Sequence, residues 1–271
     1  MLVPVSDSPS LDARVLLADT LGTSPTWLLA HDDEVLPIEA EGIFVDRLRR
    51  YAGGEPLPYV LGWWEFYGRR FSVSPSVLIP RPETELLVDL GLAELRRRGA
   101  PARVIDVGTG SGCIAVSLAA AAPGFTVVAS DVSRQALEIA RVNAKAHKVG
   151  AQLKLVQASL LDGLTGGWDL VCANLPYVAT ERLPHLAVSR REPKLALDGG
   201  RRGTQLTAHV VRSLNLGLAP GGLALLEIDE DQAEELMAVA HESVHDAVAE
   251  IVVDLTGRPR LLQVQRSDGD D

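Results

Sequence analysis

The chain reads as an α/β protein, a mainly parallel sheet covered by helices on both faces, with a small helical domain in front of it. Three features predict this. Beyond Ala102 short apolar runs alternate with segments of helical periodicity; before Tyr59 no strand-like alternation occurs; and a glycine-rich loop, Gly108 to Gly112, follows directly on the first apolar run.

Taken in order, apolar residues recur at helical spacing from Leu11 to Leu29 (Leu11, Val15, Leu16, Leu17, Leu21), with Ser10 placed as the N-cap and Gly22 as the stop. A second helical pattern covers Ile38 to Tyr51 and ends at Gly53 and Gly54. Residues 1–57 are therefore expected to form a helical domain; they carry no chemistry of their own, which leaves substrate recognition or a purely structural role. Residues 58–80 are expected to be an aromatic-rich hairpin linker. Six of the twelve aromatic residues lie between Tyr59 and Phe71, and Trp64 to Val73 reads as two short strands around Gly68. Rings in such numbers are expected to cement a domain junction, with one or two also walling a ligand pocket. Residues 81–271 form the larger domain. Ahead of its first helix, near Glu83, Pro80 and Pro82 stiffen the segment.

Strands are expected at Arg103–Val107, Thr126–Ser130, Leu153–Gln157, Asp169–Ala173, Leu223–Ile228, Ala247–Asp254 and Leu261–Gln265. Helices are expected at Cys113–Ala121, Arg134–Lys148, Thr204–Leu218 and Asp231–His241. Strands this apolar, separated by helices this long, suit a parallel sheet buried on both faces. The last two follow each other across Gly257-Arg258-Pro259 without a helix and read as an antiparallel edge pair.

Composition narrows the functional classes. With 271 residues, 46% of them hydrophobic and 23% charged, the chain can bury a sizeable core. A net charge of -10 argues against broad, salt-driven contact with nucleic-acid phosphates, so a protein or small-molecule substrate fits better. Cys113 and Cys172 lack metal-type spacing and read as reduced core residues. Met1 to Ser10 shows no basic region followed by an apolar core, and the longest apolar run, Cys113 to Pro123, falls short of the ~20 residues a membrane span requires. A cytoplasmic protein without membrane contact is expected. Ser267 to Asp271 reads as a frayed acidic tail.

In an open α/β sheet, ligands bind beyond the carboxyl ends of the strands, where Gly108-Thr109-Gly110-Ser111-Gly112 falls. Its G-x-G-x-G spacing is not the G-x-G-x-x-G that suits a pyrophosphate, and no Lys-Ser/Thr follows, so dinucleotides and nucleoside triphosphates lose ground. Asp131 ends the second strand, 19 residues after Gly112. There a carboxylate can accept from both hydroxyls of a ribose, although the same residue could cap the helix from Ser133 onward. Asp106 can orient the loop or accept from a ligand ammonium. Loop, strand and acid in this order point to an adenosine-type ligand.

About 65 residues after the loop, Asn174-Leu175-Pro176-Tyr177 ends the apolar run from Trp168 to Ala173. An Asn side chain, a carbonyl held ahead of a proline and an aromatic ring can grip a planar amide or amino group; an ordinary turn is the bland alternative. His241-Glu242-Ser243-Val244-His245 matches the zinc-protease pattern, but it closes a helix with no third ligand in view, so no metal is expected.

Together, Asp106 to Gly112, Asp131 and Asn174 to Tyr177 resemble a class I (Rossmann-like) S-adenosylmethionine-dependent methyltransferase that acts on amino groups. The segments Leu78-Ile79-Pro80-Arg81-Pro82-Glu83-Thr84-Glu85 and Arg191-Glu192-Pro193-Lys194-Leu195-Ala196-Leu197, with the helical N-terminus, narrow the resemblance. The chain is similar to the HemK/PrmC family of peptide chain release factor N5-glutamine methyltransferases from about Asp12 to Gln265. The resemblance implies a seven-stranded, mostly parallel sheet behind a small N-terminal helical domain that recognises substrate. It implies S-adenosyl-L-methionine as cofactor and S-adenosyl-L-homocysteine as product, held by Gly108, Thr109, Gly110, Ser111, Gly112, Asp131, Leu160 and Asn174, with Leu160 against the adenine. Asn174, Leu175, Pro176 and Tyr177 are the implied catalytic residues. The Asn174 oxygen and a main-chain carbonyl just after it accept the two N–H bonds of the glutamine in a Gly-Gly-Gln motif, and Tyr177 packs on the amide. Arg81 and Glu83 would shape the cofactor mouth, and Glu192 with Pro193 the substrate side. The implied partners are peptide chain release factors, with no direct nucleic-acid or membrane contact, and the protein is expected to be a monomer.

The family's usual tetrapeptide is Asn-Pro-Pro-Tyr, so Leu175 is a departure. If the carbonyl of residue 175 is the second acceptor, its backbone angle matters more than its side chain, and Pro176 still biases it to extended conformations. Two other readings stand beside this one. The amino group could belong to another substrate, a ribosomal-protein glutamine or a nucleobase amine, or the chain could be a non-catalytic binding module that keeps the cofactor fold.

Overall fold

The computed structural model describes residues 8–164 and 166–268. Residues 269–271 of the expected acidic tail, and residues 1–7 of the N-terminal segment, lie outside them. The chain divides into two compact units, Met1–Trp64 and Glu65–Asp271.

The described residues of the first unit form four helices, α1 (Pro9–Leu21), α2 (Pro25–Ala30), α3 (Ile38–Ala52) and α4 (Leu57–Leu61). Helix α1 starts after Ser8, two residues before the expected cap, because Pro9 is preset to the first helical turn and draws Ser10 inside. Gly22 ends it in the left-handed conformation at φ 66°. The chain then restarts as α2, where the Ser24 side chain caps the Trp27 N–H at 3.1 Å. Helix α4, absent from the sequence-based expectation, begins behind Pro56. Leu16, Tyr51, Val60 and Leu61 form the core, with Phe44, Trp63 and Trp64 against it. Asp19 joins them at the rim, accepting from Trp63 Nε1 at 2.8 Å and from Arg47 at 2.9 Å.

At the division, β1 (Trp63–Phe66) and β2 (Arg69–Ser72) form a two-stranded sheet around Gly68. Phe66 and Phe71 meet edge to face at 6.0 Å and are buried in the core of the second unit. A turn at Pro82–Thr84 leads into α5 (Glu85–Arg98). Then follow β3 (Arg103–Val107), α6 (Cys113–Ala121), β4 (Thr126–Asp131), α7 (Arg134–Ala146), β5 (Leu153–Gln157), β6 (Trp168–Ala173), α8 (Gln205–Gly217), β7 (Leu218–Glu227), α9 (Ala233–Ser243), β8 (Ala247–Val253) and β9 (Pro259–Arg266).

The seven strands β3 to β9 form one sheet in the order β5-β4-β3-β6-β7-β9-β8. Strand β9 runs antiparallel to both of its neighbours. The last two strands form the expected antiparallel edge pair, with β9 on its inner side against β7 and β8 outermost. Its Leu261, Leu262 and Val264 are fully buried, whereas β8 alternates between half-buried and exposed, as an edge strand does. Strand β7 also begins at Leu218, five residues before the expected start, with a register shift against β6.

Alternation along the strands sends side chains to two cores. Val104 and Leu170 pack with Leu87, Leu92 and Leu118 of α5 and α6; Ile105 and Val171 pack with Val211, Leu214 and Leu236 of α8 and α9. Cys113 and Cys172 are buried free thiols, and burial pushes Cys113 up to about 12, so neither ionises readily. Among the described residues no helix is long and apolar enough to cross a membrane.

The parallel register also decides where the site lies. Val107 pairs with Ser130 on one side and Ala173 on the other, and Ala173 pairs with Leu226. The residues that follow, Gly108, Asp131, Asn174 and Glu227, therefore form a row along the carboxyl edge of four adjacent strands.

Candidate active site at the carboxyl edge of the sheet

A cavity of about 510 Å³ opens above this row, bordered by Gly108, Gly110, Asp131, Leu160, Asn174 and Leu175. A second, of about 240 Å³, lies against Arg81, Tyr177 and Asp229 and is also lined by Asn174 and Leu175. Asn174 and Leu175 thus border both spaces.

The glycine turn is held from below. Asp106, fully buried, accepts from Thr109 Oγ1 at 2.6 Å and from the Ala115 N–H at 3.2 Å. Its role here is to orient the loop; burial pushes its carboxyl up to about 7, and its Oδ1 has no hydrogen-bond partner. Thr109 and Ser111 are buried and border a small cavity of about 40 Å³ with Thr84 and Asn174, while Gly112 packs on Ala140 at the start of α6. Only Gly108 and Gly110 of the five face the large cavity. Asn143, missed from the sequence, ties the turn to the hairpin. It donates to Ser111 O at 2.8 Å and to Ser72 O at 3.0 Å, and accepts from the Ser72 N–H at 2.7 Å.

Asp131 accepts from the Gly110 N–H at 2.9 Å through Oδ2 and from the Ser133 N–H at 2.8 Å through Oδ1. The cap of α7 itself is Ser133, whose hydroxyl takes the Ala136 N–H at 3.2 Å. A carboxylate has about four lone-pair sites, so both Asp131 oxygens keep acceptor capacity toward the cavity. Burial, outweighing those bonds, raises its pKa. Leu160, at φ 50°, borders the same cavity.

Asn174 donates from Nδ2 to Thr84 Oγ1 at 2.9 Å, and its Oδ1 is buried without a partner. A buried amide oxygen left unbonded costs roughly 1–3 kcal/mol, which marks it as an acceptor held for something else. Leu175 is buried, and its Cδ2 stands 2.8 Å from where a Cβ on Gly108 would sit. At φ 71° and with that neighbour, position 108 admits only glycine. Behind the tetrapeptide, Gln232 donates to the Tyr177 carbonyl at 2.8 Å. Burial first, and Glu227 next, push the Tyr177 phenol up to about 12, so it stays protonated.

Glu192 accepts from the Ile79 N–H at 3.0 Å and pairs with Arg81, joining the two segments that flank the second cavity. Glu83 is exposed. None of the six clustered rings from Tyr59 to Phe71 lines either cavity. Among the described residues no group of three or more His, Cys, Asp or Glu is gathered to hold a metal, and His241 and His245 are both exposed.

Comparison with known proteins agrees with this architecture. Residues 4–62 match the PrmC N-terminal domain model and residues 84–190 the methyltransferase small domain model. A methyltransferase from Pyrococcus furiosus superposes with a TM-score of 0.55 at 16% identity, over 74% of this chain and 90% of that one, a likeness of fold. The chain is a methyltransferase of the class I, Rossmann-like type, and that class implies a cofactor of the S-adenosylmethionine kind. A release factor glutamine methyltransferase from Deinococcus radiodurans is 40% identical over 97% of this chain and 93% of its own length. One from Bordetella pertussis is 40% identical over 87% of each. The chain belongs to the release factor glutamine methyltransferase family. The residues present fit the implied cofactor: a glycine turn that leaves room, a carboxylate with spare acceptor sites and an unpartnered amide oxygen share one cavity.

Proposed function

We propose that this protein methylates the side-chain amide nitrogen (N5) of the glutamine in the Gly-Gly-Gln motif of peptide chain release factors, converting S-adenosyl-L-methionine to S-adenosyl-L-homocysteine. The observation that carries the reading is the unpartnered Asn174 Oδ1 between two cavities, one suited to cofactor and one to substrate.

Bound S-adenosylmethionine supplies a methyl group already activated by the sulfonium charge. Gly108 and Gly110 would let the main chain approach it, Asp131 would accept from its ribose hydroxyls and Leu160 would pack against its adenine; Thr109, Ser111 and Gly112 would keep the turn in shape. An amide nitrogen is a poor nucleophile because its lone pair is delocalised into the carbonyl. The Asn174 oxygen and the Leu175 main-chain carbonyl accept its two N–H bonds, fix its direction and favour the positive charge that builds on it. Tyr177 packs on the flat face of the amide. Residues 1–57 recruit the release factor, and the protein acts as a cytoplasmic monomer.

Acidic charge, -10 overall, supports a protein substrate over a nucleobase amine. Incubating the protein with methyl-labelled S-adenosylmethionine and a purified release factor tests the reading. Label enters the wild-type factor and not one whose motif glutamine is replaced; transfer that ignores the replacement overturns it.

A further inference from the structure

We infer that Thr84 and Glu227 are positioning residues that keep the Asn174 amide turned with its oxygen toward the substrate, an inference that rests on the clamp reading above. Asn174 Nδ2 donates to Thr84 Oγ1 at 2.9 Å, and Thr84 Oγ1 donates to Glu227 Oε2 at 2.7 Å. Thr84 is 1% exposed and Glu227 3%, so water is kept from both. Thr84 stands at the N-cap position of α5 yet makes no capping bond there; its hydroxyl belongs to this chain of contacts.

The direction follows from proton counting. A hydroxyl has one proton to give. Ionised Glu227 can only accept, so the Thr84 proton goes to it, and the Thr84 lone pairs then require a donor. Asn174 can meet that requirement only with Nδ2, which leaves Oδ1 toward the cavities. Turning the amide over would set Oδ1 against those lone pairs and offer the substrate N–H groups a donor.

Protonation of Glu227 reverses the chain. The carboxylic acid donates to Thr84, whose own proton becomes free to point at Asn174 Oδ1, and the clamp loses its acceptor. Glu227 is surrounded by the Thr84 hydroxyl, by Glu83, which raises its pKa, and by Arg260 and Arg81, which lower it. The Tyr177 phenol and the Cys113 thiol feel its charge from the neighbouring elements. Burial dominates and pushes the carboxyl up to about 7, so the reversal falls near neutral pH.

The test uses the full chain, S-adenosylmethionine and a purified release factor, with kcat and KM measured from about pH 6 to about pH 8.5 and S-adenosylhomocysteine affinity measured by calorimetry. In Thr84→Val, kcat falls roughly 10- to 100-fold while S-adenosylhomocysteine affinity stays within about twofold, and Thr84→Ser restores turnover. Wild-type kcat rises with pH through about 7, and Glu227→Gln, which has no proton to lose, abolishes that limb. Wild-type turnover in Thr84→Val, or an unchanged limb in Glu227→Gln, overturns the inference while an inactive Asn174→Ala leaves the clamp standing. A fully active Asn174→Ala removes both.

Discussion

At the scale of single residues, the site is built from atoms whose bonding is incomplete. Asp131 accepts one bond from each of two main-chain N–H groups and keeps lone pairs facing the large cavity. Asp131→Ala removes a charge-assisted acceptor pair, and S-adenosylhomocysteine affinity is expected to fall by roughly 100-fold or more in calorimetry, at about 1.5–3 kcal/mol per bond to a charged group. Leu175 does different work: it is 3% exposed and packs beside Gly108. Leu175→Ala leaves a cavity and is expected to cost about 2–5 kcal/mol in denaturant unfolding. The sequence placed Asn174, Asp131 and the glycine turn at strand ends, and the structure brings Asn174, Asp131, Gly108 and Gly110 to one cavity. Thr84 was not legible in the sequence, since a threonine at a helix start reads as a cap. Glu227 had a signal, a carboxylate at the end of a buried apolar strand, but its meaning depends on a partner 143 residues away.

At the scale of elements, the carboxyl edge depends on the turns that back it. Gly203 sits at φ 78°, and a Cβ there would lie 2.3 Å from the Tyr177 carbonyl oxygen, an atom of the main chain that cannot swing aside. Gly203→Ala is expected to lower kcat and the melting temperature together, with a stability loss of at least about 1 kcal/mol from the left-handed conformation alone. Most element boundaries were readable because the strands and helices of the larger unit carry clean apolar periods; β3, α6 and β5 fall where those periods place them. The position of β9 was less readable. Its antiparallel pairing with β8 followed from the connection without a helix, whereas its second neighbour, β7, which the burial of Leu261, Leu262 and Val264 requires, did not. In the smaller unit, Pro9 overrode the serine that looked like a cap.

Across the whole molecule, two buried carboxyls set opposing pH demands. Burial holds Asp106 and Glu227 each at about 7, above the ordinary carboxylate range. Between the unfolded value and the folded one the native state binds more protons, so stability falls as pH rises through about 7 and is regained below it. The melting temperature is therefore expected to be higher at about pH 6 than at about pH 8, and Glu227→Gln flattens part of that slope in differential scanning calorimetry. Turnover is expected to move the other way. The two cavities share one sheet edge, and Asn174 and Leu175 border both. The most direct test is single-turnover methyl transfer by Asn174→Ala, beside calorimetric titration with S-adenosylhomocysteine. The account predicts nearly wild-type affinity with a transfer rate lowered by roughly 100-fold or more. A transfer rate equal to that of the wild type would contradict it.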